Sequence, residues 1–559
     1  MNRAASLFLA TAMLIAPLTF ARHFVVATTG SDNGDGSAAS PWQTFDHALA
    51  ALGAGDTLFV RGGVYHESMS ITMSGDAITG DIVIESWPGE IGELNNNDST
   101  GTGIAITGAY VTLRNLIVGH WSNGIDIMAP AHHITLLQCT VYDIGFGIAL
   151  YDGVHDVSLS KCDIYHFGWF GFDATAGGAT NLIYNVRLDS CLSHDADYTI
   201  PIHNGDMNAD GFAFGHDNER DITLTNCRAE RTGDGFDLDG HNIHVINCTA
   251  SYTHYGAGGG FKCWGDSVWL INCLSYKHLN SGIELDQETD SAEQFHNKPT
   301  HTYIINCTDA DNGLAGIQVY DTLKKLFMWN TILAGGNRTT GADTGSMKGL
   351  EFDMTNAAGV PVNYVGDYNI FHSINSWRFI DCPDVAYGVD ASQSSPLAAW
   401  QTLTQQDLHS YFADPRFFGG GGFLLDDYRL DATSQAINAG TADHSWPTDM
   451  NSNARDSHPD IGCYEGGLTS IQTHSIATSP NQLLFPNPAH DVVKISAGGS
   501  RTGVVKILDL TGRVLREQDY SVGKDGETIE VSLQGLVKGT YLCARNNGKT
   551  GAMTVVTKE

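Results

Sequence analysis

Asp210, Asp234, Asp237 and Lys262 are of the types that hold a hard cation and remove a proton, and their spacing brings them together. Each keeps a fixed offset from a recurring step: Gly, an apolar residue, any residue, then usually a second apolar residue. The steps begin at Gly124, Gly147, Gly171, Gly211, Gly235, Gly260, Gly282 and Gly316. Their intervals read as one turn of roughly 22–25 residues, or such a turn plus an insert, the largest lying between Gly171 and Gly211. A period of this size built from short strands marks a β-solenoid, in which equivalent positions on successive turns sit about 4.8 Å apart.

Position in the repeat therefore becomes position in space. Strand residues alternate faces, so if the residue after each Gly points inward, the next points outward. The outward column reads Asp126, Ala149, Asp173, Ala213, Asp237, Lys262, Glu284, Gln318. The residues preceding each Gly form a second column: Asn123, Phe146, Phe170, Asp210, Asp234, Gly259, Ser281, Ala315. Asp210 then lies beside Asp234, Asp237 shares the turn of Asp234, and Lys262 stands one rung beyond Asp237. Carboxylates about 5 Å apart repel by roughly 3 kcal/mol per pair at an effective dielectric near 20. A hard cation removes that cost, and an oxygen-only donor set favours Ca²⁺. A solvated acidic stripe with Lys262 as a salt-bridge partner of Asp237 is the plainer alternative.

The runs Asn208-Ala209-Asp210-Gly211-Phe212, Asp234-Gly235-Phe236-Asp237-Leu238 and Gly260-Phe261-Lys262 resemble the signature of polysaccharide lyase family 9. The resemblance extends over roughly residues 22–465, with its specific part at 208–262. It implies a right-handed parallel β-helix of pectate-lyase type. It also implies a calcium site at Asp210, Asp234 and Asp237, with Lys262 as catalytic base. The chain departs from the family at Gly233, where the family often carries a further aspartate.

The chemistry this implies is β-elimination of a 4-linked uronate, pectate or polygalacturonate first. The proton on ring carbon five, next to the carboxylate, must be removed. A cation bridging that carboxylate to the aspartates would stabilise the enolate-like transition state. The base must be neutral; if Lys262 stays near the ordinary lysine value of about 10.4, activity is expected to be alkaline. Arg231 is expected to meet a uronate carboxylate bidentately, and Trp264, on the outward face beyond Lys262, to stack on a sugar ring. An inverting polygalacturonase-like hydrolase on the same fold is the first alternative, with Asp210 and Asp237 as its pair. That group calls for a paired Asp-Asp and a Gly-His-Gly, which do not accompany Asn208-Ala209-Asp210-Gly211. A non-catalytic carbohydrate-binding surface protein is the second; it would not require Lys262 in register.

Composition agrees with a turn-rich, all-β solenoid. Glycine is abundant at 63 of 559 residues, and only 17% of residues are charged. A formal net charge of −33 argues against a nucleic-acid partner, since binding phosphates takes Lys and Arg. An acidic protein acting on an acidic polysaccharide needs a bridging cation. A monomer is expected.

Residues 1–21 read as a signal peptide: Arg3, an apolar run from Ala4 to Phe20, and Thr19-Phe20-Ala21 as cleavage site. No later stretch is long enough to span a membrane as an apolar helix. Residues 22–468 form the β-helix domain. His23–Val26 and Thr57–Val60 read as strands, with a short capping helix over Thr44–Leu52 between them. Asp426–Leu430 and Asp460–Glu465 read as closing segments with structural roles. The eleven cysteines argue against disulfides, because Cys227, Cys248, Cys273 and Cys307 each follow an Asn once per turn. They are expected to stack as buried thiols, as are Cys139, Cys162 and Cys191. Inserts at 193–207 and 287–299 are expected to build a wall of the cleft. The first, with His194, Asp195, Asp197, His203 and Asp206, reads as a polar loop.

Residues 469–482 read as a linker. Residues 483–559 alternate short strands and Gly turns, as a small β-sandwich does. The Leu484-Phe485-Pro486-Asn487-Pro488 start, Thr511-Gly512-Arg513 turn and Gly539-Thr540-Tyr541 end resemble the C-terminal sorting domain of the type IX secretion system of Bacteroidota. This implies the secretion machinery as a partner and a secreted or outer-membrane-surface location.

Overall fold

In the computed structural model, the described residues are 21–97, 99–174, 182–197, 199–200, 209–215, 219–253, 258–286, 300–320, 324–335, 348–352, 363–373, 380–381, 397–418 and 425–466, and segments of 484–558. Residues 1–20 of the stretch read above as a signal peptide, the insert at 287–299 and the loop at 201–208 (with Asn208, His203 and Asp206) lie outside them.

The chain winds as a parallel β-helix. One all-parallel sheet of 13 strands runs from His23–Val26 to Tyr364–Asp367, one strand per turn. A second all-parallel sheet of 23 strands takes the rest of each turn and carries the outward column. The short helix Phe45–Ala51 stands at the N-terminal end, its first turn capped by Thr44, whose side chain accepts from the His47 amide. Among the described residues, no helix is long and apolar enough to cross a membrane.

Burial explains the register. Ile125, Ile148, Phe172, Phe212, Phe236, Phe261, Ile283 and Ile317 occupy one inward column in strand-to-strand register, all buried. Phe212, Phe236 and Phe261 stack at 5.0 and 4.8 Å, tilted by 14° and 11°. A slip of one residue would turn these rings to solvent, so the register is strongly specified. The repeating glycines have an equally direct cause. A Cβ on Gly124, Gly147, Gly235 or Gly260 would come within 2.5 Å of the carbonyl oxygen of the equivalent glycine on the next turn.

The Asn-Cys pairs mark a bend. Asn226, Asn247, Asn272 and Asn306, and Asn330 of the Asn330-Thr331 step that follows them, all have φ between 51° and 57°, the left-handed region that asparagine tolerates better than most residues. Asn247 donates to Asn226 and Asn272 to Asn247, at 3.4 and 3.1 Å. At its C-terminal end this ladder is covered by residues 441–455: Asn272 donates to Thr448 O, and Asn330 to Thr441 O and His444 O. Arg455 ties that segment to Gly462 O and to Asn272. Tyr428, Leu430, Ile461, Cys463 and Tyr464 pack in a cluster with Leu274, Tyr276, Ile332 and Ile370, which accounts for the closing segments as structural. Every described cysteine is a buried free thiol.

Beyond residue 483, a three-stranded and a four-stranded antiparallel sheet enclose a small core of Val493, Val505, Ile507, Ile529, Val531, Leu533, Tyr541 and Cys543.

Candidate active site

The outward column forms in the register its spacing predicts. Ala213 pairs with Asp237, Asp237 with Lys262, and Lys262 with Glu284 on adjacent strands. In the second column Asn123, Phe146, Phe170 and Asp210 follow one another. One carboxylate oxygen from each of Asp210, Asp234 and Asp237 lies within 4.8 Å of the others. Asp210 sits at the start of strand Asp210–Phe214, while Asp237 is carried by Phe236–Leu238 and Lys262 by Phe261–Cys263. The stacked phenylalanines lie beneath them.

Each aspartate has a distinct setting. Asp210 is fully buried; its Oδ1 accepts from the Asp234 amide at 2.9 Å, and its Oδ2 is buried with no hydrogen-bond partner. Asp234 Oδ1 accepts from the Gly259 amide at 2.7 Å, so each of these two fixes the next turn. Asp237 Oδ2 accepts from Lys262 Nζ at 2.9 Å, and Asp234 Oδ2 lies 3.5 Å from the same nitrogen. The side chains of Asp237 and Lys262 are 15% and 17% exposed, so the cluster opens to solvent mainly there.

Electrostatics follow from this geometry. Burial, then the Asp234 and Asp237 charges, push Asp210 well above the carboxylate range. Burial works against protonated Lys262, but Asp237, Asp234 and Asp210 outweigh it and hold the lysine above its ordinary value. Glu284, one rung beyond, is pushed up to about 8 by burial and by Asp234. A buried carboxylate oxygen with no partner, beside two further carboxylates, fits a hard divalent cation, which takes oxygen ligands.

Gly233 also has a local cause. A Cβ there would lie 2.8 Å from Ala209 N and 3.1 Å from Ala209 C and O, and the Gly233 amide donates to Ala209 O at 2.6 Å. An aspartate at this position would displace the residue that leads into Asp210. Gly233→Asp is therefore expected to destabilise the fold by about 1–3 kcal/mol as overpacking does. Thermal denaturation checks this; an unchanged or raised melting temperature would refute the steric account.

Trp264 turns toward the lysine, its ring centroid 4.4 Å from Lys262 Nζ, a cation–π contact. Its indole nitrogen is buried without a partner. The Arg231 guanidinium is engaged by Asp195 and Glu230. Asp195 and Arg231 each directly follow strands paired in register, Leu192–His194 and Arg228–Glu230, so they are equivalent positions on adjacent turns, a pairing the sequence reading missed. Asp195 also holds His194, whose other ring nitrogen meets Asp163 at 3.0 Å. Burial opposes the imidazolium, but these two carboxylates hold His194 above its ordinary value, so this end of the insert is an ion-pair network. Sequence reading missed Lys324. It is fully buried, donates to Gly265 O at 2.8 Å just after Trp264, and is lowered to about 8 by burial.

Residues 24–339 match the family described as Pel9A-like, right handed beta helix region. The chain belongs to this family. Residues 483–558 match the secretion system C-terminal sorting domain, so the protein is a type IX secretion substrate destined for the cell exterior or outer-membrane surface. No curated protein matches the chain. Among solved structures, pectate lyase Pel9A is 17% identical, with 80% of this chain and 97% of that one covered, at a TM-score of 0.45. An alginate lyase from Paenibacillus sp. str. FPU-7 is 14% identical over 58% and 97%, at 0.36. A mannuronic acid specific polysaccharide family 6 lyase from human gut microbiota is 13% identical over 65% and 92%, at 0.38.

Proposed function

We propose that this protein is a calcium-dependent polysaccharide lyase that cleaves a 4-linked uronate polymer of pectic type by β-elimination. The observation that carries this reading is Lys262 Nζ held 2.9 Å from Asp237 and 3.5 Å from Asp234, at the mouth of a cluster whose deepest carboxylate, Asp210, has an oxygen without a partner. Asp210, Asp234 and Asp237 would hold calcium, which supplies charge neutralisation for the substrate carboxylate and for the enolate-like charge that develops.

Lys262 takes the proton from ring carbon five, and for this its amine must be neutral. Asp237 aims the nitrogen, and the Trp264 ring shields one side of it from water. Loss of the proton and departure of the oxygen on carbon four leave an unsaturated uronate at the new chain end.

Inverting hydrolysis is disfavoured by distance. An inverting glycosidase places its carboxyls about 6.5–9.5 Å apart to admit water. Here the aspartates approach within 4.8 Å, and Lys262 would have no part in that chemistry.

The test is incubation with polygalacturonate, with calcium or with chelator. A calcium-dependent rise in the ultraviolet absorbance of the unsaturated product is expected. Reducing ends appearing without that absorbance would replace elimination by hydrolysis.

A further inference from the structure

We propose that His132, His133, His155 and Asp156 form a second metal site, on the outward face of the 13-stranded sheet, which takes a divalent transition ion of the Zn²⁺ or Cu²⁺ class. The site is independent of the lyase reading: it lies on the other sheet and uses other donors.

Two successive turns of the solenoid assemble it. Strands His132–Leu137 and His155–Ser160 pair in parallel, with His132 opposite His155. Adjacent strand residues normally face opposite sides. His133 and Asp156 have φ of 55° and 56°, and this left-handed step brings both side chains of each rung outward together. The donor atoms then form a row: His132 Nδ1 to His133 Nδ1 at 2.8 Å, His133 Nδ1 to Asp156 Oδ2 at 3.6 Å, and Asp156 Oδ2 to His155 Nδ1 at 2.8 Å. Two imidazole nitrogens 2.8 Å apart cannot both carry protons, so at least one lone pair is directed into the cluster.

The neighbouring side chains hold these donors in place. The His133 ring stacks on Tyr110 at 4.4 Å, and the His155 ring lies between His132 at 5.1 Å and Tyr184 at 4.6 Å, tilted by 1° and 8°. Asp156 Oδ1 accepts from Asn185 Nδ2, the kind of outer partner that orients a metal-binding carboxylate, and Oδ2 is left to the cluster. The row is more open than the aspartate cluster, whose oxygens all lie within 4.8 Å of one another; an ion closes it by drawing the exposed His133 ring toward Asp156. Three nitrogens and one oxygen suit Zn²⁺ or Cu²⁺, whereas Ca²⁺ and Mg²⁺ take oxygen donors. His133 and Asp156 also line a cavity of about 450 Å³, with Asp76, Tyr110, Asn185 and Arg187, through which an ion reaches the donors. Once bound, it ties the two turns together.

The experiment uses the full-length protein, stripped with chelator and returned to excess Ca²⁺ so that the aspartates are not open to the added ion. Zn²⁺ and Cu²⁺ are titrated by calorimetry, and the Cu²⁺ form is examined by electron paramagnetic resonance. Expected are one equivalent bound, a copper signal split by nitrogen donors, and a melting temperature raised by Zn²⁺. His133→Gln and His155→Gln are each expected to weaken Zn²⁺ binding by at least about tenfold, to lose the Zn²⁺-induced rise in melting temperature, and to melt like the wild type in chelator. His241→Gln, three rungs further along the column of His155, is expected to change none of these. Equal Zn²⁺ affinity in His133→Gln and His241→Gln, or a copper signal from oxygen donors alone, would overturn the site. If the cluster variants melt early in chelator, the wild-type copper signal decides: nitrogen splitting that His241→Gln leaves intact supports the site, and its absence overturns it.

Discussion

Lys262→Met is expected to lower the elimination rate by about 10²–10⁴-fold, the usual contribution of a positioned base, while calcium still binds. Methionine keeps the length and apolar stem but has no basic nitrogen. The variant also leaves Asp234 and Asp237 without their cation, so it should depend on calcium for stability more than the wild type does. The wild-type pH profile carries the sign. The carboxylates hold Lys262 above the ordinary lysine value, so its reactive neutral form grows as pH rises, and activity should climb toward alkaline pH. Added positive charge at the aspartates offsets their pull on the ammonium, so the midpoint should move to lower pH as calcium is raised. Loss of calcium binding together with activity would make Lys262 a structural partner rather than the base. A midpoint indifferent to calcium would separate the lysine from the aspartates.

The second large effect concerns Asp210. Asp210→Asn keeps an oxygen for the Asp234 amide and removes the charge that burial and two neighbours make costly. In calcium-free buffer the variant is expected to be at least as stable as the wild type, because it carries no strained carboxylate. With calcium at 100 times its Kd, the wild type should gain about 2.7 kcal/mol of stability and the variant almost none. Elimination should fall with the lost binding, as it should when wild type meets chelator. A variant that keeps the full calcium-induced rise in melting temperature would remove Asp210 from the site.

Much of this was legible because a β-helix turns a one-dimensional period into a spatial lattice. Gly235 and Gly260 mark turns whose backbones approach too closely for a side chain, and the residue two after each, Asp237 or Lys262, falls into line without any tertiary information. The strands at His23–Val26 and Thr57–Val60 and the short helix between them were local enough to read directly. Contacts that leave the lattice were not legible. The lysine contact of Trp264 depends on which way a side chain leans within its column. Residues 441–455 meet Asn272 and Asn330 across more than a hundred positions, with no repeat to announce it.

The column of buried thiols sets a timetable for the chain's redox chemistry. Cys227 and Cys248 touch through a backbone amide at 3.3 Å, as Cys273 and Cys307 do at 3.4 Å, yet all are sealed inside once the turns have stacked. An oxidant can reach them only while the coil is unwound, and neighbouring turns supply thiols in abundance for wrong crosslinks at that moment. Export through an oxidising space therefore favours a chain whose winding outruns oxidation. A thiol-alkylating reagent applied during refolding would label only the turns still open, and so count them.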